Sequence, residues 1–158
     1  MKALSIRPPW AHAIAHLGKR VENRTWSTRY RGPILIHASS TKCAADAREL
    51  EQIVGAPVDP ETFVSGAIIA VADLVDCIDA AEAPSRWTCG PIAWRLDNVR
   101  LLAEPVPASG RLGLWTPTPT VLRLVLSQLA PACDAAPRER TPSCTPADSL
   151  RAAALYAS

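Results

Sequence analysis

Residues 18–41 read GKRVENRTWSTRYRGPILIHASST, in which a charged alternating segment is followed by an apolar one. Side chains two apart on a strand share a face, so Val21 to Trp26 as a strand puts Glu22, Arg24 and Trp26 on one side. Val21, Asn23 and Thr25 fall on the other. Ser27 to Gly32 reads as a turn or short loop, and Pro33 to Ala38 as a buried strand carrying Ile34, Leu35 and Ile36 into His37. Lys19, Glu22 and Arg24 set two cations around one carboxylate, with Arg29, Tyr30 and Arg31 close behind. That arrangement suits an anionic or polar ligand and can do general acid/base work.

Upstream, Lys2 to Arg7 alternates weakly around Leu4 and Ile6 and ends at Pro8-Pro9, which open a helix because proline fits the first helical turn. Trp10, Ala13, Ile14 and Leu17 form its buried stripe, and Gly18 terminates it in a left-handed conformation. Lys19 is therefore expected at a turn. Downstream, Ser39, Ser40 and Thr41 offer an N-cap for a helix from about Lys42 to Val54, ended by Gly55. Val64 to Ile78 is the longest strand signal, expected as the central strand of a closed sheet. Ala80 to Cys89 connects it to strands over Ile92 to Leu102 and Gly110 to Trp115. Pattern alone gives an α+β fold with one curled sheet.

The length of 158 residues accommodates one core and is short for two ordinary domains. After Trp115 the prolines multiply, so residues 1–116 are expected to form the domain and 117–158 a proline-rich, partly helical C-terminal extension. Thr120 to Leu129 can make one helix, with Val121, Leu124, Val125 and Leu129 as its stripe, and Ala147 to Tyr156 another. The net charge of +2 hides a segregation: residues 1–40 hold seven Lys or Arg against Glu22 alone. A basic face favours nucleic acid or a phosphorylated ligand. No apolar run approaches the roughly 18 residues of a membrane span. Five cysteines with no C-x-x-C pair point to reduced thiols in a cytoplasmic protein.

Several of these segments together resemble the ASCH domain family of the PUA-like superfamily, whose signature is G-x-K-x-x-E-x-R. Lys19, Glu22 and Arg24 match it, although Leu17 stands where the signature has its first Gly. Ser5-Ile6-Arg7 leading to Pro9-Trp10 is similar to the family's opening, Arg31 to Ala38 to its second strand, and Gly90-Pro91, Trp94 and Gly110 to Trp115 to its later parts. The resemblance covers about Met1 to Trp115. It implies a small PUA-like β-barrel with short flanking helices, and a role in RNA metabolism.

The expected ligand contacts are Lys19, Glu22, Arg24, Trp26, Tyr30, Arg31 and His37, with single-stranded RNA, a nucleotide or a nucleoside as partner. Trp26 and Tyr30, flanked by arginines, are the candidates for stacking a base, while Trp10, Trp94 and Trp115 are expected in the core. A hydrolase on the same pocket is the second hypothesis, with Lys19, Glu22 and Asp73 as catalytic candidates. Some family members cut RNA; others hydrolyse an acylated cytidine with a threonine nucleophile, at a position that Glu22 occupies here. Thr25 and Thr28 are out of register for that role. Binding ranks first, RNA cleavage second and amide hydrolysis third. A third class is a protein-interaction adaptor using the proline-rich extension. His12 and His16 have the spacing of a two-histidine metal site, but no third ligand follows, so packing is preferred. Neither metal nor cofactor is implied.

Overall fold

The computed structural model describes residues 1–129. In chain order it contains β1 (Lys2–Ile6), α1 (Pro8–His16), β2 (Val21–Arg24), β3 (Gly32–Ala38), α2 (Ala44–Val54), β4 (Ala67–Asp79), β5 (Ile92–Pro107), β6 (Leu114–Trp115) and α3 (Pro119–Leu129). The six strands make one sheet in the order β2-β5-β4-β3-β1-β6. Only β1 and β3 run parallel. Because that order is linear, β2 and β6 are its ends. The sheet is a curled half-barrel, so the α+β, small-barrel architecture stands while the closed sheet expected around β4 does not. Three register shifts between β4 and β5 supply curvature, since a bulge bends and twists its strand.

The sheet is covered on both sides, which explains why residues 34–36 are apolar without alternation. Leu4, Ile6, Ile34, Ile36, Trp94 and Leu96 pack with Ala11 and Ile14 of α1. The alternate residues Ala3, Leu35, Ile68 and Val71 pack on the other side with Val125 of α3. A third cluster joins α1, α2 and β2 through Ala13, Leu50 and Val21, and it includes Phe63, Trp87 and Ala93.

Several boundaries differ from the expected ones. Helix α2 begins at Ala44 with no side-chain cap. Strand β4 begins after Gly66, whose φ of 69° ends the preceding loop. Strand β5 continues through Pro105, because its far half pairs with β4 alone and a missing N–H there interrupts no ladder. The segment from Pro117 begins by docking on the sheet: Val125 is wholly buried, and Gln128 holds the backbone N–H and carbonyl of Glu104 at 2.9 and 3.0 Å. Leu124 leaves the expected stripe and is 51% exposed, since Val121, Val125 and Leu129 already form the face against the sheet. The helix expected over 147–156 lies outside the described residues.

Candidate functional site

The site begins with the turn after α1. The N–H groups of Leu17 and Lys19 both donate to the Ala13 carbonyl, at 3.0 and 3.1 Å, while Gly18 takes a φ of 73°. Leu96 of β5 donates to the Arg20 carbonyl at 2.8 Å, which pins the turn to the sheet. Lys19 is thereby carried inward and is only 1% exposed. Its ammonium donates to Glu22 Oε2 at 2.9 Å and to the Val21 carbonyl. Arg24 Nη2 lies 3.3 Å from the other carboxylate oxygen, Oε1, and donates to the Ser5 carbonyl at 2.9 Å. Glu22 and Arg24 share a strand face, as the two-residue spacing requires.

These groups form the floor of a cleft of about 740 Å³. Ser5, Arg7 and Trp10, from the β1–α1 junction, line one part of it. The loop 83–91 supplies Arg86, Trp87, Thr88 and Cys89, and the wholly exposed Leu112 stands among its lining residues. Asn23 fixes that loop from the next position of β2: its Nδ2 donates to the Trp87 carbonyl at 2.8 Å, and its Oδ1 accepts from the Cys89 N–H at 3.0 Å. Ser39 and Thr41, expected as helix caps, line the cleft instead. The Arg7 guanidinium lies 2.9 Å from the Asp46 carboxylate.

The other expected contacts are dispersed. Trp26 packs edge-on against Trp94, with ring centroids 4.6 Å apart, and lines a shallow groove of about 250 Å³. That groove shares Asn23, Arg24 and Cys89 with the cleft. Tyr30 donates its hydroxyl to the Pro33 carbonyl at 2.7 Å. Arg31 pairs with Asp76 at 2.7 Å; the Cys77 N–H and this guanidinium hold the Asp76 carboxyl below its usual range. Neither Tyr30 nor Arg31 lines the cleft. His37 is buried beneath the loop after β5, Nε2 to the Ala108 carbonyl at 2.9 Å. Asp73 accepts from Asn98 at 3.0 Å where β4 and β5 shift register, and it too is absent from the cleft lining.

Of the residues proposed from sequence, the structure brings together Lys19, Glu22 and Arg24, with Trp26 alongside. It adds Trp10, which the helical stripe had placed in the core, and the 83–91 wall. The aromatic and cation of Arg86-Trp87, next to Gly90-Pro91, were the sequence signals of that wall, and no periodicity marked the segment. His12 and His16 stack with each other at 4.6 Å, and His12 also packs at 5.0 Å from Phe63. Burial and then the neighbouring His16 lower the pKa of His12. Among the described residues no group of three His, Cys, Asp or Glu could hold a metal ion. No helix among them is long and apolar enough to cross a membrane.

A family model described as ASCH domain matches residues 4–103. Human (Homo sapiens) activating signal cointegrator 1 is 27% identical over 124 residues, which is 71% of this chain and 21% of that protein. The mouse (Mus musculus) protein of the same name is 33% identical over 85 residues, covering 50% of this chain and 15% of the relative. The chain thus spans about a fifth or less of the length of these curated relatives.

Proposed function

This chain belongs to the ASCH domain family, and from that premise we propose that it binds single-stranded RNA, or a nucleotide, in the cleft over Glu22. The observation that carries this is the bridged carboxylate: two cations on one anion leave a floor with one excess positive charge in a cleft of about 740 Å³. That volume lies in the usual range for small-ligand sites, roughly 300–1,000 Å³. Arg24 is the floor's accessible cation, its side chain 23% exposed, and is held in place by Ser5. The Trp26 groove adjoins through Asn23, Arg24 and Cys89, so consecutive nucleotides of a strand can occupy the two depressions.

The geometry favours binding over hydrolysis. Both oxygens of Glu22 are engaged by cations, so Glu22 can accept a proton from a ligand only by giving up an ion pair, and Asp73 lies elsewhere. A fluorescence titration with a short single-stranded RNA and a duplex of the same sequence tests the proposal. Saturable binding of the single strand at low salt, weakened in Arg24→Ala, is expected. Absence of saturable binding would overturn it.

A further inference from the structure

The second wall of the cleft carries an aromatic and a cation as one unit. Arg86 Cζ lies over the Trp87 ring, 4.7 Å from its centroid. Trp87 is 8% exposed and packed into the cluster with Val21 and Leu50, so it is a fixed support, whereas Arg86 is exposed and lines the cleft. Among the described residues Arg86 makes no ion pair, while Arg7, Lys19 and Arg24 each have a carboxylate.

The loop that presents this unit is tightly bonded. Thr88 Oγ1 donates to the Ala83 carbonyl at 2.6 Å and lies 2.7 Å from Ser85 Oγ, which accepts from the Trp87 N–H at 3.2 Å. Asn23 then ties residues 87 and 89 to β2. Arg86 holds its guanidinium over the indole while lining the cleft, and nucleobases stack on guanidinium planes as they do on aromatic rings. The loop backbone and Trp87 are thus already fixed, so the ordering left for an arriving base to impose is confined to the Arg86 side chain.

We propose that Arg86, held over Trp87 on a loop that Asn23 clamps, is the plate on which this cleft stacks a nucleobase. Arg86 is then a base contact rather than a phosphate contact, and Asn23 a positioning residue. The inference rests on the nucleic-acid function proposed above.

The test compares a short single-stranded RNA with an abasic oligonucleotide of the same length, binding to wild type, Arg86→Lys, Arg86→Ala and Asn23→Ala. Lysine keeps the charge and loses the plane. Both Arg86 variants should bind the base-bearing strand roughly 5- to 150-fold more weakly, the range for losing one stacked base. Arg86→Lys should hold the abasic strand as wild type does. Asn23→Ala should weaken the base-bearing strand and spare the abasic one, an asymmetry that general destabilisation would not produce. Wild-type affinity for the base-bearing strand in Arg86→Lys would overturn the plate while leaving nucleic-acid binding intact. Failure of the wild type to bind any strand would instead overturn both.

Discussion

Lys19 Nζ lies 2.9 Å from Glu22 Oε2, with the two side chains only 2% and 8% exposed. A buried charge left without its partner destabilises a fold by about 3–5 kcal/mol. Glu22→Gln, which strands the Lys19 ammonium, should lower the stability measured by urea unfolding by about that amount, and Lys19→Met by less, because Arg24 still faces Glu22 at 3.3 Å. The double variant should lose less than the two single losses combined, because no buried ammonium is then stranded and the partly exposed Arg24 alone loses its carboxylate. Strict additivity would mean that the pair is not coupled. Binding is therefore better probed at Arg24 and Arg86, where substitution leaves no buried ammonium behind.

Burial pushes the His37 imidazole below its ordinary 6.5, and the Ala108 hydrogen bond opposes this only in part. The unfolded chain then takes up a proton at a higher pH than the folded one, so folding stability falls as pH drops below about 6.5 and is level above it. His12 contributes in the same direction. Urea midpoints between pH 7.5 and 5 should show that decline, and His37→Gln should remove part of its slope. An identical slope in the variant would exclude His37 as a source.

Gly110 is placed where no side chain fits. A Cβ there would meet His37 Cε1 at 2.5 Å, Ser5 Oγ at 2.7 Å and His37 Nδ1 at 2.9 Å. Overpacking of this kind destabilises by about 1–3 kcal/mol. Gly110→Ala should lower the thermal midpoint accordingly and shift the 108–113 loop, with Leu112, away from its place at the cleft. An unchanged midpoint would mean that the loop moves aside freely.

Of the cations expected among the ligand contacts, Lys19 is buried and Arg31 is engaged with Asp76 away from the cleft. With Arg24 and Arg7, which the structure adds to the cleft lining, as the phosphate contacts, log affinity should fall against log salt with a slope of about −1.4, at about −0.7 per contact with a single strand. Arg31→Ala should change neither affinity nor slope. A slope near −2 that flattens in Arg31→Ala would instead make Arg31 a third phosphate contact.

The floor of the cleft was legible because its causes are local. A glycine after an amphipathic helix turns the chain at Lys19, and the period of two puts Glu22 and Arg24 on one face. The near-continuous apolar run at Ile34 to Ile36 likewise marked a strand covered on both sides. The second wall was not legible, since Arg86 and Trp87 reach the cleft only through the antiparallel pairing of β2 with β5 and the Asn23 clamp. Neither leaves a periodic trace in a nine-residue loop. Proximity in sequence also misled: Tyr30 and Arg31 sit in the turn that leads away from β2, and His37 pairs in register with Ser5 beneath the last loop. Alternation assigns a residue to one of two faces, and curvature and cover decide which face meets a ligand.

The most direct measurement of the central claim is an NMR titration of the isotope-labelled protein with a short single-stranded RNA, following backbone amides and arginine Nε–H groups. Saturating shifts should concentrate at Ser5, at Lys19 to Arg24 and at Arg86 to Cys89, with weaker ones at Trp26. Binding that instead perturbs Arg31, Asp76 and Asp73 while leaving the Glu22 floor and the 83–91 loop unmoved would contradict the assignment of the cleft.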